Sequence, residues 1–202
     1  MKQADIVVIG GSAAGLTAAI TARRHYPERS ILMVRKEEQV LIPCGIPYIF
    51  GTVGSPENNL IPDTVLEKHD IELLITEVQS LNAEEKDLRT EDEEIEYERL
   101  ILATGSKPAM PPIPGLDLAG VYPVVKDVDY LRGVQAELED AEDVVVIGGG
   151  FIGIEFGDEI NKMDGKNVSI VEMMPHCLML AYDEEFCVKM EEVLESRGVN
   201  VS

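Results

Sequence analysis

Asp5-Ile-Val-Val-Ile-Gly-Gly-Ser-Ala-Ala-Gly15 decides the fold, because it returns later in the chain as Asp143-Val-Val-Val-Ile-Gly-Gly-Gly-Phe-Ile-Gly153. In both copies a short apolar run meets a cluster of glycines. A run that is apolar at every position reads as a parallel strand buried on both faces. Each turn opens a helical pattern, with Leu16, Ala19 and Ile20 in the first copy and Ile152, Glu155 and Phe156 in the second. Each helix leads to another apolar run, Ile31 to Val34 and Val168 to Val171, which completes a βαβ unit. Such crossovers are right-handed in nearly all proteins, so the expected class is α/β, with two Rossmann-like doubly wound parallel-sheet units. The repeat is far too long for a solenoid and reads as two related domains.

Between the copies, segments around Val78 to Leu81, Asp87 to Thr90 and Glu94 to Tyr97 alternate polar and apolar residues across charged turns. This predicts a small antiparallel meander in the first unit. Leu100 to Ala103 then reads as a buried strand. Pro108, Pro111, Pro112 and Pro114, closed by Gly115, cannot continue a helix or a central strand and mark the boundary. The first domain is accordingly expected over residues 1–111 and the second over 112–202, with helices from Asp127 to Leu138 and Asp183 to Ser196. The strand opening at Val199 to Val201 leaves the second sheet short of strands, so a truncated second unit is expected.

The 202 residues are 45% hydrophobic, enough to fill a core, and 38 acidic against 17 basic residues give a formal charge of -21. That field repels phosphate backbones and anionic bilayers, which argues against nucleic-acid and membrane partners. No apolar stretch approaches the ~18 residues of a membrane helix, and no signal-peptide pattern opens the chain, so a cytoplasmic address is expected. The acidic runs Glu91 to Glu94 and Glu139 to Asp143 read as solvated faces. Three cysteines, Cys44, Cys177 and Cys187, without C-x-x-C spacing argue against a disulfide framework and a zinc site. His25, His69 and His176 have no ligand spacing, and no metal site is expected.

A G-x-G-x-x-G turn between strand and helix binds a dinucleotide for three reasons. Its first glycine permits the turn, its second lets backbone amides approach the pyrophosphate, and its third lets helix pack on strand. Gly148, Gly150 and Gly153 match in full, with Phe151 and Ile152 inside the turn and Glu155 on the helix. Glu172 ends the next strand, where a carboxylate would accept hydrogen bonds from a ribose diol and repel a 2′-phosphate. NADH is therefore expected there in preference to NADPH. In the first copy, Gly10, Gly11, Ser12, Ala13, Ala14 and Gly15, a serine replaces the second glycine. The position matching Glu172 holds Arg35, followed by Lys36, Glu37 and Glu38, so the group that binds the first ribose is left open. Ser12 is not a hydrolase nucleophile, since G-x-S-x-G would need glycine where Ala14 stands.

With Tyr97-Glu-Arg-Leu-Ile-Leu-Ala-Thr-Gly-Ser-Lys-Pro108 added to the two turns, the chain resembles the FAD- and NAD-dependent pyridine nucleotide-disulfide oxidoreductases. The resemblance implies FAD on the first unit, with Ala103, Thr104 and Gly105 at its crossover, and NADH on the second. Pro43-Cys44-Gly-Ile-Pro-Tyr48, with no second cysteine nearby, resembles the single-cysteine branch: coenzyme A-disulfide reductases, NADH oxidases, NADH peroxidases and persulfide reductases. The peroxidases and water-forming oxidases usually carry a histidine where this chain has Ala13, which tilts the expectation toward disulfide or persulfide reduction.

The resemblance places Cys44 as the redox-active thiol. A helix starting within Gly45 to Phe50 is expected to favour its thiolate. Cys177 and Cys187 are expected as packing or surface residues. The implied function is a flavin-dependent NADH:disulfide or persulfide reductase acting on a small thiol-derived substrate. An oxygen-reducing NADH oxidase, and an inactive fragment or one subunit of a split enzyme, stand as alternatives. The resemblance also implies a second FAD segment and a dimerisation domain absent from these residues, and a homodimer when complete.

Overall fold

The structure is a computed structural model that describes residues 2–202. The chain forms two compact units, one made of the residues up to Pro43 with Leu60–Ala109 and the other of Cys44–Asn59 with Met110–Ser202. The excursion from 44 to 59 thus clusters with the second unit, although it interrupts the sequence of the first.

The first unit runs β1 (Lys2–Ile9), α1 (Ala13–His25), β2 (Ile31–Arg35), β3 (Val40–Leu41), β4 (Leu60–Ile61), α2 (Thr64–Lys68), β5 (Glu72–Ile75), β6 (Ser80–Asn82), β7 (Asp87–Arg89) and β8 (Glu94–Leu102). Its main sheet has the order β5-β2-β1-β8-β7-β6. β1 pairs in parallel with β2 and β8, β2 in parallel with β5, and β6-β7-β8 form the antiparallel meander. The two strands expected at Glu94–Tyr97 and Leu100–Ala103 are one nine-residue strand. It closes the meander on β7 and pairs with β1, so a change of role along one strand had looked like a change of element.

β1 is apolar at successive positions because both of its faces are covered. Val7 and Ile9 pack with Leu32, Val34, Leu88 and Ile95 on one side. Ile6 and Val8 pack with Ala19, Ala22, Ile31 and Met33 on the other.

The second unit contains α3 (Val128–Asp140), β9 (Asp143–Ile147), α4 (Phe151–Ile160), β10 (Asn167–Val171), α5 (Glu184–Ser196) and β11 (Asn200–Val201). Its sheet is parallel in the order β11-β10-β9. Asp127 caps α3 by accepting the Tyr130 amide at 2.8 Å, which explains where that helix starts. β9 differs from the expected doubly buried strand. α4 packs so closely that Gly157 meets Ile170 and Gly153 meets Val146, whereas Val145, Ile147 and Val171 on the other face are exposed. An all-apolar strand here carries only one covered face.

Candidate functional site

Both glycine turns have the same geometry. Gly10 and Gly148 take left-handed φ values of +109° and +104°, which only glycine adopts without strain. Their amides donate to the carbonyls of Val34 and Val171, each at 2.8 Å. A Cβ at Gly15 would run into the Gly10 carbonyl oxygen, and one at Gly153 into that of Gly148, so the third glycine lets helix and strand touch. Ala103 abuts the first turn from β8, donating its amide to Ile9 and placing its own carbonyl against Gly10. The Ala103-Thr104-Gly105 segment and the first turn, remote in sequence, are therefore one site.

No side chain caps α1 or α4. Ser12 stands at the N-cap of α1 with an extended backbone and makes no capping bond, its Oγ lying 3.5 Å from the Leu41 carbonyl. Gly150 holds the same position before α4. The first-turn amides at Ala13 and Ala14, and at Phe151 and Ile152, are consequently not taken up by a cap. Two uncapped helix N-termini behind left-handed glycines fit two pyrophosphates. Phe151 and Ile152 are exposed at this end of α4, and Glu155 lies half-buried one turn in.

The residue after each accepting carbonyl, Arg35 or Glu172, lies under its turn. A Cβ at Gly11 would strike the Arg35 side chain, and one at Gly149 would press on Glu172 and Cys177. Glu172 accepts the Gly149 amide at 2.6 Å and the Met174 amide at 2.8 Å. The Met174 and Gly149 amides hold its carboxyl below the usual carboxylate range. It is a fixed anion at the lip of the second turn.

Arg35, at the position where the first ribose contact was left open, is turned inward beneath its turn. It is 4% exposed, and its guanidinium forks onto Asp63 at 2.7 and 2.9 Å while donating to the carbonyls of Glu37 and Glu38. A strand-end arginine with these partners at hand folds inward. Lys36 is exposed, 3.4 Å from Glu77. Asp63 carries no sequence signal, because its role exists only through this pairing.

Of the three cysteines, Cys44 is exposed and Cys177 and Cys187 are buried. Cys44 lies in a single 3-10 turn, Pro43–Gly45, and the next helical segment is a π-turn at Ile49–Val53. The helix expected to begin within Gly45 to Phe50 and to stabilise the thiolate is therefore replaced by two isolated turns. Cys177 packs beneath Gly149, and its burial, reinforced by Glu191 and Glu172, pushes the thiol up to about 11. Burial also raises Cys187. A strut that sequence did not reveal supports the same turn: Leu178, in the left-handed region at φ 61°, donates its amide to the Gly149 carbonyl at 2.8 Å.

The sequence profile of the pyridine nucleotide-disulphide oxidoreductases matches residues 4–202. The chain belongs to this family. It is 32% identical over 207 residues to an NADH oxidase of Methanocaldococcus jannaschii, covering 96% of this chain and 46% of that protein. It is 33% identical over 198 residues to an NAD(P)H coenzyme A polysulfide/persulfide reductase of Pyrococcus horikoshii, covering 94% and 44%. Among solved structures, an NAD-dependent persulfide reductase from A. fulgidus matches with a TM-score of 0.85 and 33% identity, over 98% of this chain and 39% of that one. The chain spans less than half the length of these relatives. Pyridine nucleotide-disulphide oxidoreductases use FAD and NADH, and the paired turns are suited to two such dinucleotides. No helix among the described residues is long and apolar enough to cross a membrane.

Proposed function

We propose that this chain carries the nucleotide sites and the reactive thiol of a FAD-dependent NADH:disulfide or persulfide reductase. The observation that carries the reading is that Cys44 alone of the three cysteines is exposed, in a chain with two dinucleotide turns. The relatives named as persulfide reductases support the same substrate class. Gly10 to Gly15 with Ala103, Thr104 and Gly105 would hold FAD, and Gly148 to Gly153 with Glu172 would hold NADH. Bound there, FAD would supply a hydride acceptor that can also pass electrons to sulfur.

The chain's own work begins at the Cys44 sulfur. Its thiolate attacks one sulfur of a small disulfide, the S–S bond breaks, and the departing thiolate takes a proton from solvent. Two electrons that originate in NADH, with one proton, then cleave the mixed disulfide and release the second thiol. The balance is NADH, one proton and one disulfide giving NAD and two thiols. Uncapped amides at Ala13 and Ala14 and at Phe151 and Ile152 would neutralise the two pyrophosphates.

In the flavin-loaded enzyme, Cys44→Ser is expected to keep flavin reduction by NADH and to lose disulfide reduction and any thiolate-to-flavin absorption band. Disulfide reduction at the parent rate would refute the assignment. The oxidase relative from M. jannaschii favours a second reading, in which Cys44 cycles through a sulfenic acid while oxygen is reduced. NADH loss that follows oxygen uptake and ignores added disulfide would select it.

A further inference from the structure

We propose that Glu159 is a positioning residue for the Cys44 segment, holding it to the nucleotide-binding helix α4 through Thr52. The inference rests on the reading of Cys44 as the reactive thiol. Glu159 lies in the last turn of α4 and is 2% exposed, an environment that penalises a carboxylate unless both of its oxygens are satisfied. They are satisfied. Thr52 Oγ1 donates to Oε2 at 2.7 Å, and Lys162 Nζ donates to Oε1 at 2.5 Å.

Lys162 is a neighbour on the same stretch of chain and also donates to Thr52 Oγ1 at 3.3 Å, whereas Thr52 belongs to the segment that carries Cys44. Two further contacts bring that segment onto the same helix. Gly51 approaches α4 so closely that a Cβ there would meet the Glu159 backbone carbonyl, and Phe50 packs on Phe156 with ring centroids 5.5 Å apart. Gly51 and Thr52 lie within the π-turn Ile49–Val53, closed by the Gly54 amide donating to the Ile49 carbonyl at 3.0 Å.

An apolar residue at 159 would offer no acceptor to Thr52 and so would not fix the register of the segment. A carboxylate with one acceptor reserved for Thr52 does. The same helix begins at Phe151, just after Gly150, so the element that would present amides to the nicotinamide nucleotide also sets where the Cys44 segment is held.

Thr52 is exposed, so Thr52→Val removes the hydroxyl with little loss of packing, and Thr52→Ser restores it. The test uses the 202-residue chain with two readouts: amide hydrogen exchange across residues 46–54, and the rate at which Cys44 exchanges with an aromatic disulfide. In Thr52→Val the amides are expected to exchange about tenfold or more faster, matching the loss of the hydrogen bond to the charged Glu159 acceptor and of the longer one from Lys162. The Cys44 rate is expected to change about threefold or more, by the same local opening. Thr52→Ser should return both to the parent values. Glu159→Gln, melted alongside to check folding, should shift both in the same sense as Thr52→Val.

Unchanged exchange in Thr52→Val would overturn the proposal. Faster amides with an unchanged Cys44 rate would overturn it equally, since the contact would then be structural only. These readouts need no flavin, so they stand apart from the Cys44→Ser experiment, which tests the function.

Discussion

Asp5 and Asp143 open the two repeats, and each ties the start of its strand to the start of the strand beside it. Asp5 accepts from the Ser30 amide, the Ser30 hydroxyl and Arg29, just before β2, and Asp143 accepts from Asn167 at the head of β10. The hydrogen bonds from the Ser30 side chain and backbone, helped by Arg29, lower the Asp5 pKa to about 2. A folded pKa below the unfolded one contributes stability above the ordinary aspartate value of about 3.9, lost as pH falls toward the folded value. Asp5→Asn should therefore flatten the fall in melting temperature on the acid limb between those values. An acid limb as steep as the parent's would show that Asp5 does not carry that linkage. Glu172 gives the second expectation at this scale: the parent should bind NADH more tightly than NADPH, and Glu172→Ala should weaken NADH by about tenfold, the loss of hydrogen bonds to a charged acceptor. Equilibrium titration with both nucleotides checks it, and tighter NADPH binding by the parent would refute it.

At the scale of the element, the glycine turns look alike but rest on different supports. The second rests on Glu172, Cys177 and the Leu178 amide, and the first on the Arg35 side chain locked to Asp63. Truncating Asp63 strands a buried guanidinium, a change that costs about 3–5 kcal/mol when both partners are buried. Asp63 is itself partly exposed, so Asp63→Ala is expected to destabilise by about 2 kcal/mol and to loosen flavin retention by the first turn. Denaturant unfolding and flavin content check it, and parent values in both would mean that the turn does not depend on the pair. The repeat in sequence pointed to both turns and to the Arg35 and Glu172 positions, yet it carried no mark of Asp63, Cys177 or Leu178 as supports. They come from residues whose chemistry becomes relevant only after β2 and α2, or β10 and the loop after it, lie side by side.

At the scale of the whole molecule, no helix or strand lies between Leu102 and Val128 among the described residues, and much of that stretch is exposed. A broad-specificity protease should nick there first. The two pieces should nevertheless stay together without denaturant, because Cys44–Asn59 is on the N-terminal piece but belongs to the second unit. Thr52 with Glu159, Phe50 with Phe156, Glu57 with Arg132 at 2.5 Å, and the Gly54 carbonyl with Gln135 at 2.8 Å would hold it. Size-exclusion chromatography of the nicked chain checks this, and separation of the pieces would show those contacts to be too weak.

The parts of this protein written in local order were legible in the chain. Strand, glycine turn, helix and strand occur twice because tight turns and helix-on-strand contact require glycine at fixed offsets, and buried parallel strands require apolar runs. Glu172 was marked by its place at the end of the strand after the second turn, and Cys44 only by the family resemblance of the residues around it. Only long-range packing turned Arg35 inward and gave β8 two kinds of partner along one strand. It also decided that the Cys44 segment clusters with the unit that follows it, 50 or more residues away. Each of these depends on long-range pairing, and a side chain's partners across such distances leave no periodic trace in the chain that carries it.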